Sequence, residues 1–398
     1  MKPLRRYQTF FLLLLLGAAF GGVWFNTWVN PWRVTPAPWT SRALEPYRAI
    51  DKDWSRTAKA GLARSAAWDA AMFGSSRVDI GLDPAHPAFD GMRCVNLGLN
   101  AGLLDQNHAI FRYFIEAQSP KLVVLAIDAS DLTTPLPRQN PTDFSFSPLA
   151  TGGDPIERAL LYRAGISTLA ASSATVSRAI RHQPADHTPR GFRRDTPFPD
   201  DQRRLISSLY LSTTVQMARN HIRHGDLTPA KVAMVEEIVT TCQERGIRLV
   251  IFFTPNHALF QLAFREMEDP DPYFEKDRRA LAEIAARANA TRPDAPPVEV
   301  WDFLDGHPLN SPPLPPADEK GAHLDGWIDL FHATPAIGNR MLDRLSGSGD
   351  YGVMLTPDNI GPRIAAVRGQ LEDYARRHPD DLAFLRAALA KFESRKKP

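Results

Sequence analysis

The segment LVVLAI at residues 122–127 is a continuous apolar run without a charged residue. A second run, RLVIFF at residues 248–253, follows a helical stretch that opens with Thr228 as its cap and Pro229 in the first helical position. Short apolar runs of this kind indicate strands that are buried on both faces, as in parallel sheets. They therefore predict a parallel sheet covered by helices on both faces.

Shorter segments continue this alternation along the chain. Strands are predicted at residues 67–73, 93–97 and 298–301, and helices at residues 103–117, 271–290 and 335–345. Residues 130–206 are rich in proline and arginine and are predicted to be an insertion with one helix near residues 166–181. Residues 362–392 are predicted to form two amphipathic helices, separated at Pro379 and packed outside the core.

These patterns divide the chain of 398 residues into five segments. They are a cytoplasmic N-terminus (1–8), a transmembrane anchor (9–29), a linker and helix (30–66), an α/β domain (67–345) that carries the insertion 130–206, and a C-terminal helical extension (346–398). The length suits one large domain with additions of this kind.

The N-terminal apolar segment extends from Phe10 to Phe25 and follows three basic residues, Lys2, Arg5 and Arg6. As a helix it spans about 24 Å, close to the ~30 Å hydrocarbon core of a bilayer. The basic residues precede it, so the positive-inside rule leaves the N-terminus in the cytoplasm. The rest of the chain is then exported.

Two interpretations of this segment stay open. An uncleaved anchor is favoured by tryptophans at positions 24, 28 and 32, spaced like the aromatic belt of a membrane interface. A cleaved signal peptide is favoured by the small residues Gly17 and Ala19. Export allows Cys94 and Cys242 to form a disulfide, although two buried free thiols are an equal alternative.

Composition excludes several classes of function. The formal net charge of +2 gives no general basis for nucleic-acid binding. The hydrophobic fraction of 43% is that of a globular protein rather than a disordered or multi-span one. Two cysteines and the absence of paired Cys/His spacing in the sequence predict no metal site, and no cofactor is expected.

Three short motifs follow predicted strands or precede a predicted helix. FGSSR (73–77) follows the first strand, NLGLN (96–100) closes the second, and WIDLFH (327–332) lies just before the helix at 335. Open α/β sheets bind ligands at the carboxyl ends of their strands. An aspartate three residues before a histidine can orient the imidazole, whose other nitrogen then faces a hydroxyl. The motifs predict a serine nucleophile with a His–Asp pair.

The order of these motifs resembles that of the SGNH/GDSL hydrolase superfamily. The resemblance covers residues 67–345 without the insertion and implies an α/β, flavodoxin-like three-layer sandwich with a central parallel sheet. The variant GSSR, followed by DPAHP at residues 83–87 and then NLG, is similar to the membrane-anchored, exported members. These include the D-alanyl transfer protein of teichoic acids and the alginate O-acetylation proteins.

The resemblance also implies roles for individual residues. Ser76 stands at the nucleophile position, with Ser75 in place of the usual aspartate, and Asp329 and His332 complete the catalytic set. Gly98 matches the second block, and its N–H is expected to hold the oxyanion together with the N–H of Ser76. The amide of Asn100 is a further candidate donor.

The third block departs from the superfamily. It usually contains an asparagine that helps to hold the oxyanion, whereas this chain has Asp128 after the strand at 122–127. An ionised carboxylate would repel an oxyanion, which puts efficient hydrolysis in doubt. Arg77 and His257 are further candidates for the pocket, and an ion pair of Arg77 with Asp79 or Asp83 is the alternative for that arginine.

The expected function is that of a membrane-anchored, exported serine esterase or O-acyltransferase, single-pass in the inner membrane with its catalytic domain in the periplasm. Its expected partners are the membrane, through the N-terminal helix, and an acylated polysaccharide or lipid-linked glycan, but no nucleic acid. A membrane-bound acyltransferase as a further partner would favour acyl transfer. The alternative is a non-catalytic glycan-binding or assembly protein that retains the fold.

Overall fold

The computed structural model describes residues 2–137, 141–152, 154–194, 196–316, 318–319 and 321–394. The first residue of the predicted cytoplasmic segment and residues 395–398 of the predicted C-terminal extension lie outside the described residues. The elements below are numbered in chain order.

Helices and one sheet make up the regular structure of the described residues. The helices are α1 (Lys2–Val29), α2 (Ser55–Ala63), α3 (Ser76–Gly81), α4 (Leu104–Ile115), α5 (Thr142–Phe146), α6 (Pro155–Ala164), α7 (Ile166–Ile180), α8 (Gln202–Leu205), α9 (Leu211–His224), α10 (Pro229–Glu244), α11 (Ala258–Glu266), α12 (Glu275–Thr291), α13 (Pro335–Leu342), α14 (Ile360–Arg377) and α15 (Pro379–Ser394). The strands are β1 (Ala70–Phe73), β2 (Cys94–Asn96), β3 (Leu122–Ile127), β4 (Arg248–Phe253), β5 (Glu299–Asp302) and β6 (Val353–Met354).

The sheet of the described residues has the strand order β2-β1-β3-β4-β5-β6. The first five strands are parallel and β6 is antiparallel to β5. Every residue of β3 is buried, as its continuous apolar run predicts. β3 and β4 pair along their full lengths, from Leu122 opposite Arg248 to Ile127 opposite Phe253. The predicted mixed α/β class with a mainly parallel sheet is therefore confirmed.

The boundaries of several elements differ from the predicted ones. β1 begins at Ala70, later than the predicted residue 67. α12 begins at Glu275 rather than at residue 271, because Phe274 has a left-handed backbone conformation that a helix cannot include. Asp271 lies before the helix and accepts hydrogen bonds from the N–H groups of Glu275 and Lys276.

The chain divides into two compact units. One unit comprises residues 1–67 and 139–194, and the other comprises residues 68–138 and 195–398. The second unit contains the whole sheet. In this division, residues 139–194 of the predicted insertion group with the N-terminal segment. The predicted insertion contains α5 and α6 in addition to the helix predicted there, which is α7 (Ile166–Ile180).

The C-terminal extension belongs to the second unit and is tied to the sheet by buried charges. Asp302, at the end of β5, pairs with Arg278 of α12 at 2.8 Å and with Arg363 of α14 at 2.7 Å. Burial acts to raise the pKa of Asp302, but the two guanidinium groups outweigh it and leave that pKa below its usual value. α14 is thus part of the packed core, contrary to the prediction that it packs outside it.

The N-terminal helix α1 is long and apolar enough to cross a membrane between Leu4 and Val29. Its side chains are exposed from Leu4 to Gly21, and they become buried at Asn26, Thr27 and Val29. The predicted apolar N-terminal helix is therefore present, and it extends from a lipid-compatible segment into the first unit.

Candidate active site

The turn after β1 places Ser76 at the start of α3. Gly74 occupies this turn with φ +156°, and a Cβ atom there would lie 2.5 Å from Cγ2 of Val78 and 2.9 Å from Cβ of Ala126. Only glycine allows so close an approach between α3 and β3. Ser75 caps α3, since its Oγ accepts a hydrogen bond from the N–H of Arg77 at 3.3 Å. Ser76 is the first helical residue, so its N–H has no acceptor within the helix.

The loop before α13 brings a histidine and an aspartate to this serine. Nε2 of His332 lies 2.8 Å from Oγ of Ser76, and Nδ1 of His332 lies 2.6 Å from Oδ2 of Asp329. Oδ1 of Asp329 accepts hydrogen bonds from the backbone N–H groups of Phe331 and His332, at 2.6 and 2.8 Å. The three predicted residues therefore form one hydrogen-bonded array.

The electrostatics of this array fix the proton on the imidazole. Burial acts to raise the pKa of Asp329, but hydrogen bonds from His332 and from the backbone outweigh it and lower that pKa. An ionised carboxylate only accepts hydrogen bonds, so Nδ1 of His332 carries the proton. Nε2 is then the acceptor that faces the hydroxyl of Ser76. This is the arrangement in which a serine hydroxyl can lose its proton to a histidine.

Two residues that the sequence did not indicate support the loop of Asp329. The buried side chain of Gln202 donates to the carbonyl oxygens of Trp327 and Ile328 at 2.7 and 2.8 Å, and it accepts from the N–H of Leu324 at 2.6 Å. The ring of Tyr210 lies 5.8 Å from that of Phe331 in the same loop, and burial together with the nearby charge of Asp329 raises the pKa of the tyrosine. No spacing in the sequence links position 202 or 210 to position 329, so these contacts could be found only in three dimensions.

A cavity of about 460 Å³ opens beside Ser76 and His332. Its wall combines apolar with polar side chains, among them Leu103, Leu209, Met217, Phe331, Thr213 and Asn220. Leu209 and Tyr210 belong to a π-helix at Ile206–Tyr210, directly before α9. Such segments often occur at functional sites. The volume and the mixed lining are those of a small-molecule or chain-end binding site.

Asp128 and Arg77 form an ion pair at the wall of this cavity. Both side chains are about nine-tenths buried. Oδ1 of Asp128 also accepts from the hydroxyl of Thr254 at 2.7 Å, and Arg77 donates to Oδ1 of Asn256 at 2.9 Å. Arg77 therefore pairs with Asp128 rather than with the Asp79 or Asp83 that the sequence suggested. The negative charge of the carboxylate that replaces the expected asparagine is therefore balanced by the guanidinium group of Arg77.

A second carboxyl, Asp131, lies in the same wall. Burial and the neighbouring charge of Asp128 raise its pKa to about 7. Its Oδ2 accepts a hydrogen bond from the N–H of Asp128 at 3.1 Å, and its carbonyl oxygen accepts one from the buried Lys231 at 2.8 Å. The sequence gave no signal for this residue, because its burial depends on α10, one hundred positions along the chain.

The predicted oxyanion donors are placed less favourably. The N–H of Gly98 donates to Oδ1 of Asn96 at 2.9 Å, so it already has an acceptor. A Cβ atom at Gly98 would lie 2.6 Å from the N atom of Asp79 and 2.9 Å from the O atom of Ser75, which explains the glycine by close packing. Asn100 is half-buried in the turn before α4, next to Ala101, Gly102 and Leu103, which line the cavity.

His257 is fully buried and has a structural position. Its Nε2 donates to the carbonyl oxygen of Pro312 at 2.8 Å, and its Nδ1 accepts from the N–H of Leu259, which caps α11. Burial lowers its pKa to about 4, so the ring is neutral at neutral pH. The backbone N–H of His257 donates to the carbonyl oxygen of Leu330 at 3.1 Å, which links it to the Asp329 loop rather than to the cavity.

The part of the chain that the structure describes contains possible metal ligands, among them the two cysteines. There, no group of three or more His, Cys, Asp or Glu side chains is placed to hold a metal ion. Cys94 and Cys242 are both buried as free thiols, and burial raises the pKa of Cys242 to about 12. The raised pKa of Cys242 disfavours its thiolate, the form in which a cysteine acts as a nucleophile or a metal ligand.

The chain matches no protein-family model, and no curated protein is similar to it in sequence. The fold and site are those of a mixed α/β protein with a serine, a histidine and an aspartate joined by hydrogen bonds beside a cavity.

Proposed function

We propose that this protein is a membrane-anchored serine esterase or O-acyltransferase of the SGNH type. The observation that carries the proposal is the continuous array from Oγ of Ser76 through His332 to Asp329, with distances of 2.8 and 2.6 Å. A serine in a turn or a helix cap makes a single hydrogen bond of this length, without a further bond from its partner to a carboxylate. A serine bonded to a histidine that is itself held by a buried carboxylate is the arrangement of an activated nucleophile.

The position of the array in the sheet also supports the proposal. The order β2-β1-β3-β4-β5 is that of flavodoxin-like sheets, whose ligands bind where the strand order reverses, between β1 and β3. Ser76 follows β1 and Asp128 follows β3, so both stand at that point. The motif order that resembles the SGNH superfamily agrees with this placement.

The proposed reaction proceeds through an acyl-enzyme. The Ser76 hydroxyl transfers its proton to Nε2 of His332 as Oγ attacks an ester carbonyl carbon, and Asp329 stabilises the imidazolium that forms. The N–H of Ser76 donates to the oxyanion. His332 then returns the proton to the leaving alcohol. In the second half-reaction an incoming hydroxyl gives its proton to Nε2 of His332 as its oxygen attacks the acyl carbonyl carbon, and His332 passes that proton to Oγ of Ser76 as the bond between Oγ and the acyl group breaks. Water as that hydroxyl gives an esterase, and a sugar hydroxyl gives an acyltransferase.

The proposed substrates are acyl esters of a cell-envelope or secreted polysaccharide, reached from the outer face of the inner membrane. This part of the proposal rests on the resemblance to the anchored, exported proteins and on the apolar helix α1. The cavity beside Ser76 suits the acyl-bearing end of such a chain, because its wall offers both apolar and polar side chains.

Fluorophosphonate labelling of the full-length protein tests the proposal. We expect the reagent to modify Ser76, so that Ser76→Ala abolishes labelling. Ser75→Ala is the matched control: it removes a neighbouring hydroxyl from the same cavity and weakens only the cap of α3. If Ser76→Ala is still labelled, Ser76 is not the nucleophile. If the folded wild-type protein is not labelled at all, the protein is not a serine enzyme.

One observation favours a second candidate, a glycan-binding or assembly protein that has kept the fold. The N–H of Gly98 is bonded to Asn96, and position 128 carries a carboxylate instead of an amide donor. A site short of oxyanion donors loses transition-state stabilisation, by roughly 3 kcal/mol for each donor removed. Glycan binding by a folded wild-type protein that resists fluorophosphonate would support this alternative.

A further inference from the structure

The first unit exposes an apolar surface where α6 turns into α7, and we call it the α6–α7 corner. Its members are large aliphatic side chains with high exposed fractions: Ile156 (68%), Leu160 (61%), Ile166 (86%) and Leu169 (42%). Ile156 and Leu160 are four positions apart on α6, and Ile166 and Leu169 are three apart on α7, so each pair shares a helix face. Large apolar side chains exposed on two successive helices in this way are typical of a binding site for protein or lipid.

The corner lies beside the membrane-compatible helix. α1 packs against both α6 and α7 in the same unit. The side-chain amide of Asn26 in α1 donates to the carbonyl oxygen of Arg163 at 2.9 Å, three residues before Ile166 opens α7. The level of the corner along α1 is therefore that of Asn26.

The length of a bilayer-spanning helix sets the depth of that level. Counting from Tyr7, the first residue after the basic pair Arg5 and Arg6, about twenty helical residues cover the ~30 Å hydrocarbon core. The twentieth residue is Asn26. The same position separates the exposed part of α1 from its buried end. The boundary between hydrocarbon and headgroups thus falls where α6 and α7 meet the helix.

We propose that the α6–α7 corner is a lipid-binding surface, which places Leu160, Ile166 and Leu169 in the outer interface of the bilayer. This proposal rests on one part of the proposed function, the membrane anchor, and is independent of the serine chemistry. In water these side chains would stay exposed, whereas at this depth acyl chains cover them.

Charge and packing suit this role. α6 and α7 together carry Arg158, Arg163 and Arg178 against one acidic residue, Glu157, a balance that favours anionic phospholipid headgroups. Tyr162 of α6 packs edge to face on Trp32, with ring centroids 6.1 Å apart. The corner is thereby held to the segment that follows α1, so that helix and corner contact the bilayer as one surface.

Depth-dependent fluorescence quenching of the full-length protein in lipid vesicles tests the proposal. A single cysteine replaces Ile166, Leu14 or Ile180 and carries an environment-sensitive nitrobenzoxadiazole label. The unsubstituted protein, treated with the same label, is the blank for any labelling of the buried Cys94 and Cys242. Vesicles of phosphatidylethanolamine and phosphatidylglycerol contain lipids with a doxyl quencher near the headgroup or near the end of the acyl chain.

We expect the label at Ile166 to show blue-shifted emission and to be quenched more by the shallow doxyl group, while the label at Leu14 is quenched more by the deep one. Ile180, at the other end of α7 and 74% exposed, should be quenched less than Ile166. If Leu14 is buried in lipid but Ile166 behaves as in water, the corner does not bind lipid and the proposal is wrong. If Leu14 is also in water, the anchor itself has failed. Neither outcome affects fluorophosphonate labelling of Ser76.

Discussion

At the scale of single residues, the exchange of asparagine for Asp128 is compensated by its neighbour. The sequence suggested that a carboxylate here would repel an oxyanion. In the structure Arg77 pairs with Asp128, and the hydroxyl of Thr254 occupies its other oxygen. The pair presents little net charge to the cavity, so the carboxylate serves to hold Arg77 and the start of α3. In the proposed reaction, the exchange removes an amide donor to the oxyanion, and the pairing with Arg77 reduces the repulsion that a lone carboxylate would add.

Arg77→Met is expected to destabilise the protein by about 3 kcal/mol, because it leaves Asp128 nearly buried without its cation. The double variant Arg77→Met, Asp128→Asn removes both charges and should recover most of that loss. Urea unfolding of the two single variants and the double variant gives the coupling energy, which we expect at about 2 kcal/mol. Additive effects would contradict the ion pair.

The hydrogen-bonded array of serine, histidine and aspartate could be predicted from sequence, whereas the contacts that support it could not. Ser76, Asp329 and His332 were predicted because short motifs carry them at strand and helix ends, in an order that resembles a known superfamily. Gln202 and Tyr210 contact the same loop, but only through a chain fold that brings residues more than one hundred positions apart together. The wall position of Asp131 was missed for the same reason.

At the scale of elements, Gly98 explains how β2 and α3 approach each other. The sequence motif predicts that this glycine binds the oxyanion, but the close approach of Asp79 and Ser75 to its α-carbon shows a packing requirement as well. Continuous apolar runs predicted β3 and β4 with correct bounds, because burial on both faces leaves a strong signal. Phe274 and the π-helix at Ile206–Tyr210 left none, since backbone irregularities there depend on the surrounding packing.

Gly98→Ala is expected to disturb the site through the backbone. The added methyl group would lie within 3 Å of backbone atoms of Asp79 and Ser75, so α3 must move and carry Ser76 away from His332. We expect a destabilisation of about 2 kcal/mol and a clear loss in the rate of fluorophosphonate labelling. Gly369→Ala is the matched control, because that exposed glycine in α14 has open space around it and should gain about 1 kcal/mol. Unchanged labelling of Gly98→Ala would contradict the coupling of β2 to Ser76.

At the scale of the whole molecule, the sheet-containing unit buries carboxyl groups that are poorly compensated. Burial raises the pKa of Asp277 in α12 to about 7, although His221 acts to lower it. One of its oxygens accepts from the N–H of Leu132 at 3.1 Å, and the other has no hydrogen-bond partner among the described residues. The groups that face it are His221, Asp271 and Arg278. Asp131, with a pKa raised to about 7, adds a second such group. Stability therefore depends on pH in the neutral range.

The sign of this dependence follows from the two pKa values of Asp277. In the unfolded chain the pKa is about 3.9, so between about pH 4 and pH 7 the folded protein holds a proton that the unfolded chain has released. The contribution of Asp277 to the free energy of unfolding is therefore highest at the acid end of this window. It falls as the pH rises through the folded-state pKa. A difference of three pKa units corresponds to about 4 kcal/mol.

Asp277→Asn keeps an acceptor for Leu132 but cannot ionise, so its unfolding free energy should fall less between about pH 5 and about pH 8 than that of the wild-type protein. Urea unfolding of both proteins across this range measures the difference. Equal slopes would contradict a folded-state pKa of Asp277 near 7 and show that the carboxyl is ionised in the folded protein across this range.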